Sequence, residues 1–128
     1  MSNLYNKSKV SIQAASALYK NDELCNASVH CSYYACVQLS KHIFLNKCEP
    51  PIIPPRRGIH EFIASNMVTE IGKIDINFMY VFNSSFVPLR VLREEADYDN
   101  TVIDPGKAEK AYKTADKIYN GMKKVFSI

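Results

Sequence analysis

The chain has 128 residues, 47% of them hydrophobic and 23% charged, with a formal charge of +3. This composition fits one globular domain, 1–128, with enough apolar material for a core, and excludes a disordered chain. No apolar run approaches the roughly 18 residues a bilayer crossing needs, and the charge falls well short of the basic excess of a dedicated nucleic-acid binder.

The chain starts Met1-Ser-Asn-Leu-Tyr-Asn-Lys, a polar run without a signal-peptide apolar region. A cytoplasmic location without membrane contact is therefore expected, with Cys25, Cys31, Cys36 and Cys48 as reduced thiols. The cysteine spacings do not match a zinc site, and neither a metal nor a cofactor is expected.

A first helix is predicted from about Asn3 to Tyr19, with Leu4, Ile12, Ala15, Leu18 and Tyr19 on one face. Lys20-Asn21-Asp22 breaks it, and Asn21 or Asp22 offers a cap for a second helix reaching about Asn46. One face of that helix carries Cys25, Val29, Tyr33, Cys36, Val37, Ile43 and Phe44. The other side is also apolar, with Leu24, Ala27, Cys31, Tyr34, Ala35 and Leu45. Lys41 is the only formal charge between Glu23 and Lys47. A helix apolar nearly all round has to be covered nearly all round, so it sits at the centre of a bundle or is shared with an oligomer interface.

Glu49-Pro-Pro-Ile-Ile-Pro-Pro-Arg-Arg57 holds four of the six prolines. It cannot continue a helix and reads as a stiff, extended connector. Its Pro51-x-x-Pro54-x-Arg56 also fits ligands of aromatic-lined grooves. His60 to Met67 then reads as a short helix, followed by a weaker stretch over 75–82. Pro88 either opens a further helix behind Ser84-Ser85 or interrupts one long helix. The last helix is the clearest: Asp104 caps it and Pro105 takes the first position. Ala108, Tyr112, Ala115, Tyr119, Met122 and Phe126 form its apolar stripe, with Lys110, Lys113, Lys117 and Lys124 opposite. No segment alternates with period two. The predicted fold is all-α, an up-and-down helical bundle of four main helices plus one or two short ones.

Three segments stand out: Ser32-Tyr33-Tyr34-Ala35-Cys36, Gly58-Ile59-His60-Glu61-Phe62-Ile63 and Leu92-Arg93-Glu94-Glu95-Ala96-Asp97-Tyr98-Asp99. The first resembles the Ser-x-Tyr-Tyr-Ala signature of HEPN domains, shifted by one residue. The second is similar to that family's histidine and apolar turn at a helix start. The third resembles the Arg-x-x-Ala-Asp-Tyr-Asp segment of one HEPN branch and is the specific part. The resemblance implies a helical bundle that pairs as a two-fold homodimer and handles nucleotide or RNA, often beside a nucleotidyltransferase-type partner in toxin–antitoxin pairs.

Ribonucleases of that family use an Arg-x4–6-His motif, with arginine for the phosphate and histidine for the 2′-hydroxyl proton. Counted from Arg93, the histidine window holds Tyr98, Asp99 and Asn100. Counted from Arg90, it holds Glu95, Ala96 and Asp97. Neither contains a histidine. The expectation is therefore a binding module without strong catalysis. Its ligand-binding residues would be Arg93 on phosphate, Tyr98 on a base, Asp97 orienting Arg93, and His60. The alternatives are a divergent metal-independent ribonuclease and a pure protein-interaction bundle. Four scattered glycines make no phosphate loop, and no Gly-x-Ser-x-Gly or His-Glu-x-x-His occurs.

Overall fold

The computed structural model describes residues 3–98 and 100–128. Five helices follow one another: α1 (Asn3–Leu18), α2 (Cys25–Asn46), α3 (Ile59–Gly72), α4 (Ile76–Tyr98) and α5 (Pro105–Val125). No strand occurs among the described residues, and none of the helices is long and apolar enough to cross a membrane.

The second helix is central. It packs against all four others, most extensively against α1 and α5. Val29, Tyr33, Ala35, Cys36, Leu39, Ile43 and Phe44 are completely buried. Small residues let the neighbours approach. Ser28 donates from Oγ to the Ala15 carbonyl at 2.8 Å, Ser40 donates to the Cys36 carbonyl at 2.7 Å, and Ser8 shares a 2.9 Å hydrogen bond with the Tyr119 hydroxyl. These three buried hydroxyls are thereby paired, which offsets the desolvation cost of sinking them, whereas the Ser32 Oγ is buried without a partner. The apolar coat is not complete: Leu24 and Ala27 are exposed at the start of α2, and Tyr34 and Leu45 are half-buried.

Two boundaries differ from the sequence expectation. The second helix starts at Cys25, not at Asp22, because Asn21 spends its side chain on a local turn, accepting from the Glu23 N–H at 3.0 Å. The short helix at His60 extends to Gly72, since Ile63, Met67 and Ile71 continue its buried stripe.

Pro88 lies inside one long α4. The ring removes the N–H that would bond the Ser84 carbonyl, a break worth about 3 kcal/mol in a free helix. Phe86 and Leu89 flank it and are almost fully buried, so packing on both sides carries the helix through. In α5 the Asp104 side chain accepts from the Lys107 N–H at 2.8 Å with Pro105 in the first turn, as the sequence predicted. The predicted stripe is buried except at Tyr112, which is half-exposed and stacks on Tyr19 with ring centroids 5.5 Å apart.

The proline segment runs without secondary structure over the end of α2. The Ile52 N–H donates to the Phe44 carbonyl at 2.8 Å, and Ile52 packs on the core while Ile53 points to solvent.

One close approach sets the spacing of α4 and α5. A methyl group at Gly121 would overlap the ring of Phe78, whereas at Gly72 it would meet only the thioether of Met79. A ring on a helix backbone has little room to move, and a methionine has much. Gly121→Ala should therefore destabilise the protein by about 1–3 kcal/mol despite the better helix propensity of alanine. Gly72→Ala should cost less, and urea titrations of both variants measure the difference.

Candidate functional site

One face of α2 carries Asn26, His30, Tyr33 and Tyr34, at helical spacings of four, three and one residues. It meets the first turn of α3 and the last two turns of α4. There the structure gathers Arg93, Asp97, Tyr98 and His60, the four residues expected from sequence, around both tyrosines of α2.

Arg93 is the centre. It is 2% exposed, and its guanidinium carbon lies 5.0 Å from the Tyr33 ring centroid, 5.7 Å from Tyr34 and 5.4 Å from Tyr98. Three aromatic faces around one cation offset part of its desolvation. Its Nη1 donates to the Tyr98 hydroxyl at 3.2 Å, and its Nη2 faces His60 Nε2 at 3.4 Å. Its Nε is buried with no hydrogen-bond partner.

The expectation that Asp97 orients Arg93 holds only loosely. The nearest Asp97 oxygen is 3.8 Å from Arg93 Nη1, while the same oxygen is 2.8 Å from His30 Nδ1 and its neighbour 3.1 Å. His30 has drawn the carboxylate outward. The guanidinium, which can only donate, is left with one long ion pair and an unused donor. The i, i+4 pair of Arg93 and Asp97 thus forms only at 3.8 Å, and with a buried arginine instead of on the open surface.

The partners of His60 assign its tautomer. A guanidinium facing Nε2 requires that nitrogen to accept, so the proton sits on Nδ1. That Nδ1–H donates to the Tyr33 hydroxyl oxygen at 2.7 Å. Burial, then the cations Arg93 and Arg90, hold the imidazole below its ordinary 6.5, so it is neutral at pH 7. Burial likewise pushes the Tyr33 phenol well above its usual range, and it stays protonated.

Arg90 braces this arrangement from outside. It donates from Nη2 to Glu61 at 2.6 Å and from Nε to Glu94 at 3.1 Å, tying α4 to the first turn of α3 beside His60. Asn26 secures the other rim. Its amide donates to the carbonyls of Ala96 at 2.9 Å and Thr101 at 3.2 Å, and its oxygen accepts from the Ile103 N–H at 3.0 Å. Asp99, the last residue of the motif that carried the family resemblance, lies outside the described residues.

Sequence reasoning missed His30, Arg90 and Asn26. The first and third lie on the Tyr33–Tyr34 face of their helix, and the second is one turn before Arg93, so helical spacing could have found all three. It could not have shown which partner each engages.

Chemically, the cluster offers a cation short of an anion, a neutral imidazole, and the ring and hydroxyl of Tyr98, which is 74% exposed. Among the described residues no group of three or more His, Cys, Asp or Glu is placed to hold a metal. The thiols are free, and burial raises all four, Cys48 to about 11. None is a thiolate nucleophile at neutral pH.

Comparison with family models, with curated proteins and with solved structures gave no match to this chain.

The depressed His60 imidazole gives a signed pH dependence. Between its folded value and the ordinary 6.5 the unfolded chain binds the extra proton. The stability carried by neutral His60 is therefore full above 6.5 and is lost as pH falls through that window. Thermal melts of the wild type and His60→Gln should diverge most at pH 7 and converge toward pH 5. Nitrogen-15 spectra should show the Nδ1–H form at pH 7.

Proposed function

We propose that this chain is a HEPN-like homodimeric module that binds the phosphate of a nucleotide or RNA, or a partner nucleotidyltransferase, without strong catalysis of its own. The observation that carries this reading is Arg93. It is a buried guanidinium with an unpartnered Nε, and its nearest carboxylate is engaged by His30 instead. A cation so placed is completed by an oxyanion from outside, through charge-assisted hydrogen bonds. Tyr98 covers it from the end of α4, and this exposed ring moves aside at little cost in packing. Displaced, it becomes a surface on which a base stacks.

The homodimer rests on the outer side of α4. Ile76, Tyr80, Val87 and Val91 are all between 46% and 63% exposed. At 3.6 residues per turn they fall within an arc of about 60° and run about 23 Å along the helix. Phe82, Phe86, Leu89 and Arg93, which α4 buries, lie on the opposite side. Val87→Glu with Val91→Glu leaves the core untouched and should convert a dimer to a monomer in analytical ultracentrifugation. A wild type that sediments as a monomer would sink the homodimer part of the reading.

A second reading, the divergent metal-independent ribonuclease, is favoured by one distance. His60 Nε2 and Arg93 Nη2 are 3.4 Å apart, so a neutral base and a phosphate-binding cation meet in space although the Arg-x4–6-His spacing is absent from the chain. The two readings separate in one experiment: short RNA and mononucleotides are mixed with protein in EDTA, and both cleavage and binding are followed. The module reading expects intact RNA, saturable binding, and a loss of about 1–3 kcal/mol in Tyr98→Ala. Cleavage that vanishes in His60→Ala makes the chain a ribonuclease. Neither binding nor cleavage leaves the pure protein-interaction bundle.

A further inference from the structure

A second site lies on another part of the surface and shares no residue with the Arg93 cluster. The start of α1, the last turns of α2 and the proline segment enclose a groove of about 450 Å³, within the roughly 300–1,000 Å³ of small-molecule sites. Leu4, Leu45 and Ile59 give it an apolar lining, and Pro54 and Pro55 form one wall. The Ile52–Phe44 hydrogen bond pins that wall to α2, so the groove exists before anything enters it.

The charge in the groove is all of one sign. Lys41 and Arg56 line it, and no acidic residue does. Neither cation has an ion-pair partner among the described residues, so nothing within the fold neutralises the charge of the groove. Lys41 is also the only Lys, Arg, Asp or Glu in the whole of α2. A charge serving solubility alone would occupy the water-facing positions of that helix. Those are Ala27, His30 and Asn46, and none carries a fixed charge. The single charge stands instead at a half-buried position beside an apolar floor.

We propose that this groove binds a small amphipathic oxyanion, an acyl carboxylate or an alkyl phosphate, with its head between Lys41 and Arg56 and its tail on Leu4, Leu45 and Ile59. The pairing follows from the chemistry of both ends. The guanidinium of Arg56 forks onto two oxygens of a carboxylate or phosphate, and the ammonium of Lys41 adds a point charge. The tail removes apolar lining from water. A free inorganic anion would forgo the second contribution and an alcohol the first.

The test follows the methyl resonances of Leu4, Leu45 and Ile59 during titration of the intact protein with decanoate, decyl phosphate, decanol and inorganic phosphate. Saturable shifts of these methyls with decanoate or decyl phosphate are expected, and the stronger of the two identifies the head group. Lys41→Gln with Arg56→Gln should weaken that binding by about tenfold or more, with an unchanged melting temperature showing that the fold is intact. Equal binding of decanol, equal binding of inorganic phosphate, unchanged affinity in the double variant, or no shift with either amphiphile would each overturn the proposal.

Discussion

Burying α2 is the task to which the other helices are fitted. With one fixed charge in 22 residues, this helix has no water-compatible face of useful width, and it folds only when neighbours close round it. Helices α1 and α5 reach it through small residues, and α3 and α4 close the side that carries Tyr33. The same constraint accounts for the helix through Pro88. Phe82, Phe86 and Leu89 are needed over α2 as one continuous surface, and their burial outweighs a lost hydrogen bond.

The candidate site is a by-product of where that coverage runs thin. Tyr33 is fully buried and Tyr34 half-buried, so the guanidinium of Arg93 lies over both rings at the edge of the core. A charge in that position is tolerated because the rings are polarizable and Tyr98 and His60 complete its surroundings. It is only weakly paired, since His30 competes for Asp97. As built, the fold keeps an electrostatic deficit at one edge of an otherwise apolar core.

Much of this was legible in the sequence because helices announce themselves by period. The all-α class, the Asp104 cap and the stripe of α5 follow from residue type and spacing alone, and the apolar girth of the second helix left only the bundle centre or a shared interface as its place. The course through Pro88 was not legible, because it depends on how much apolar surface waits on either side of the proline. In the site, Arg93, Asp97, Tyr98 and His60 could be selected from the resemblance and do come together. Their pairing could not be read, because Asp97 sits four residues from Arg93 in the chain yet turns to His30, 67 residues away. Helical spacing states who is near within one element and is silent on competition from another.

Asn26 gives the site a mechanical character. Its three hydrogen bonds hold the Ala96 carbonyl, the Thr101 carbonyl and the Ile103 amide to the helix that also bears Tyr33 and Tyr34. The described backbone on both sides of the turn between α4 and α5 is thereby clipped to the floor of the site. Of the groups around Arg93, the exposed ring of Tyr98 is the one free to turn about its own bonds, a motion on the timescale of rotamer exchange rather than of domain movement.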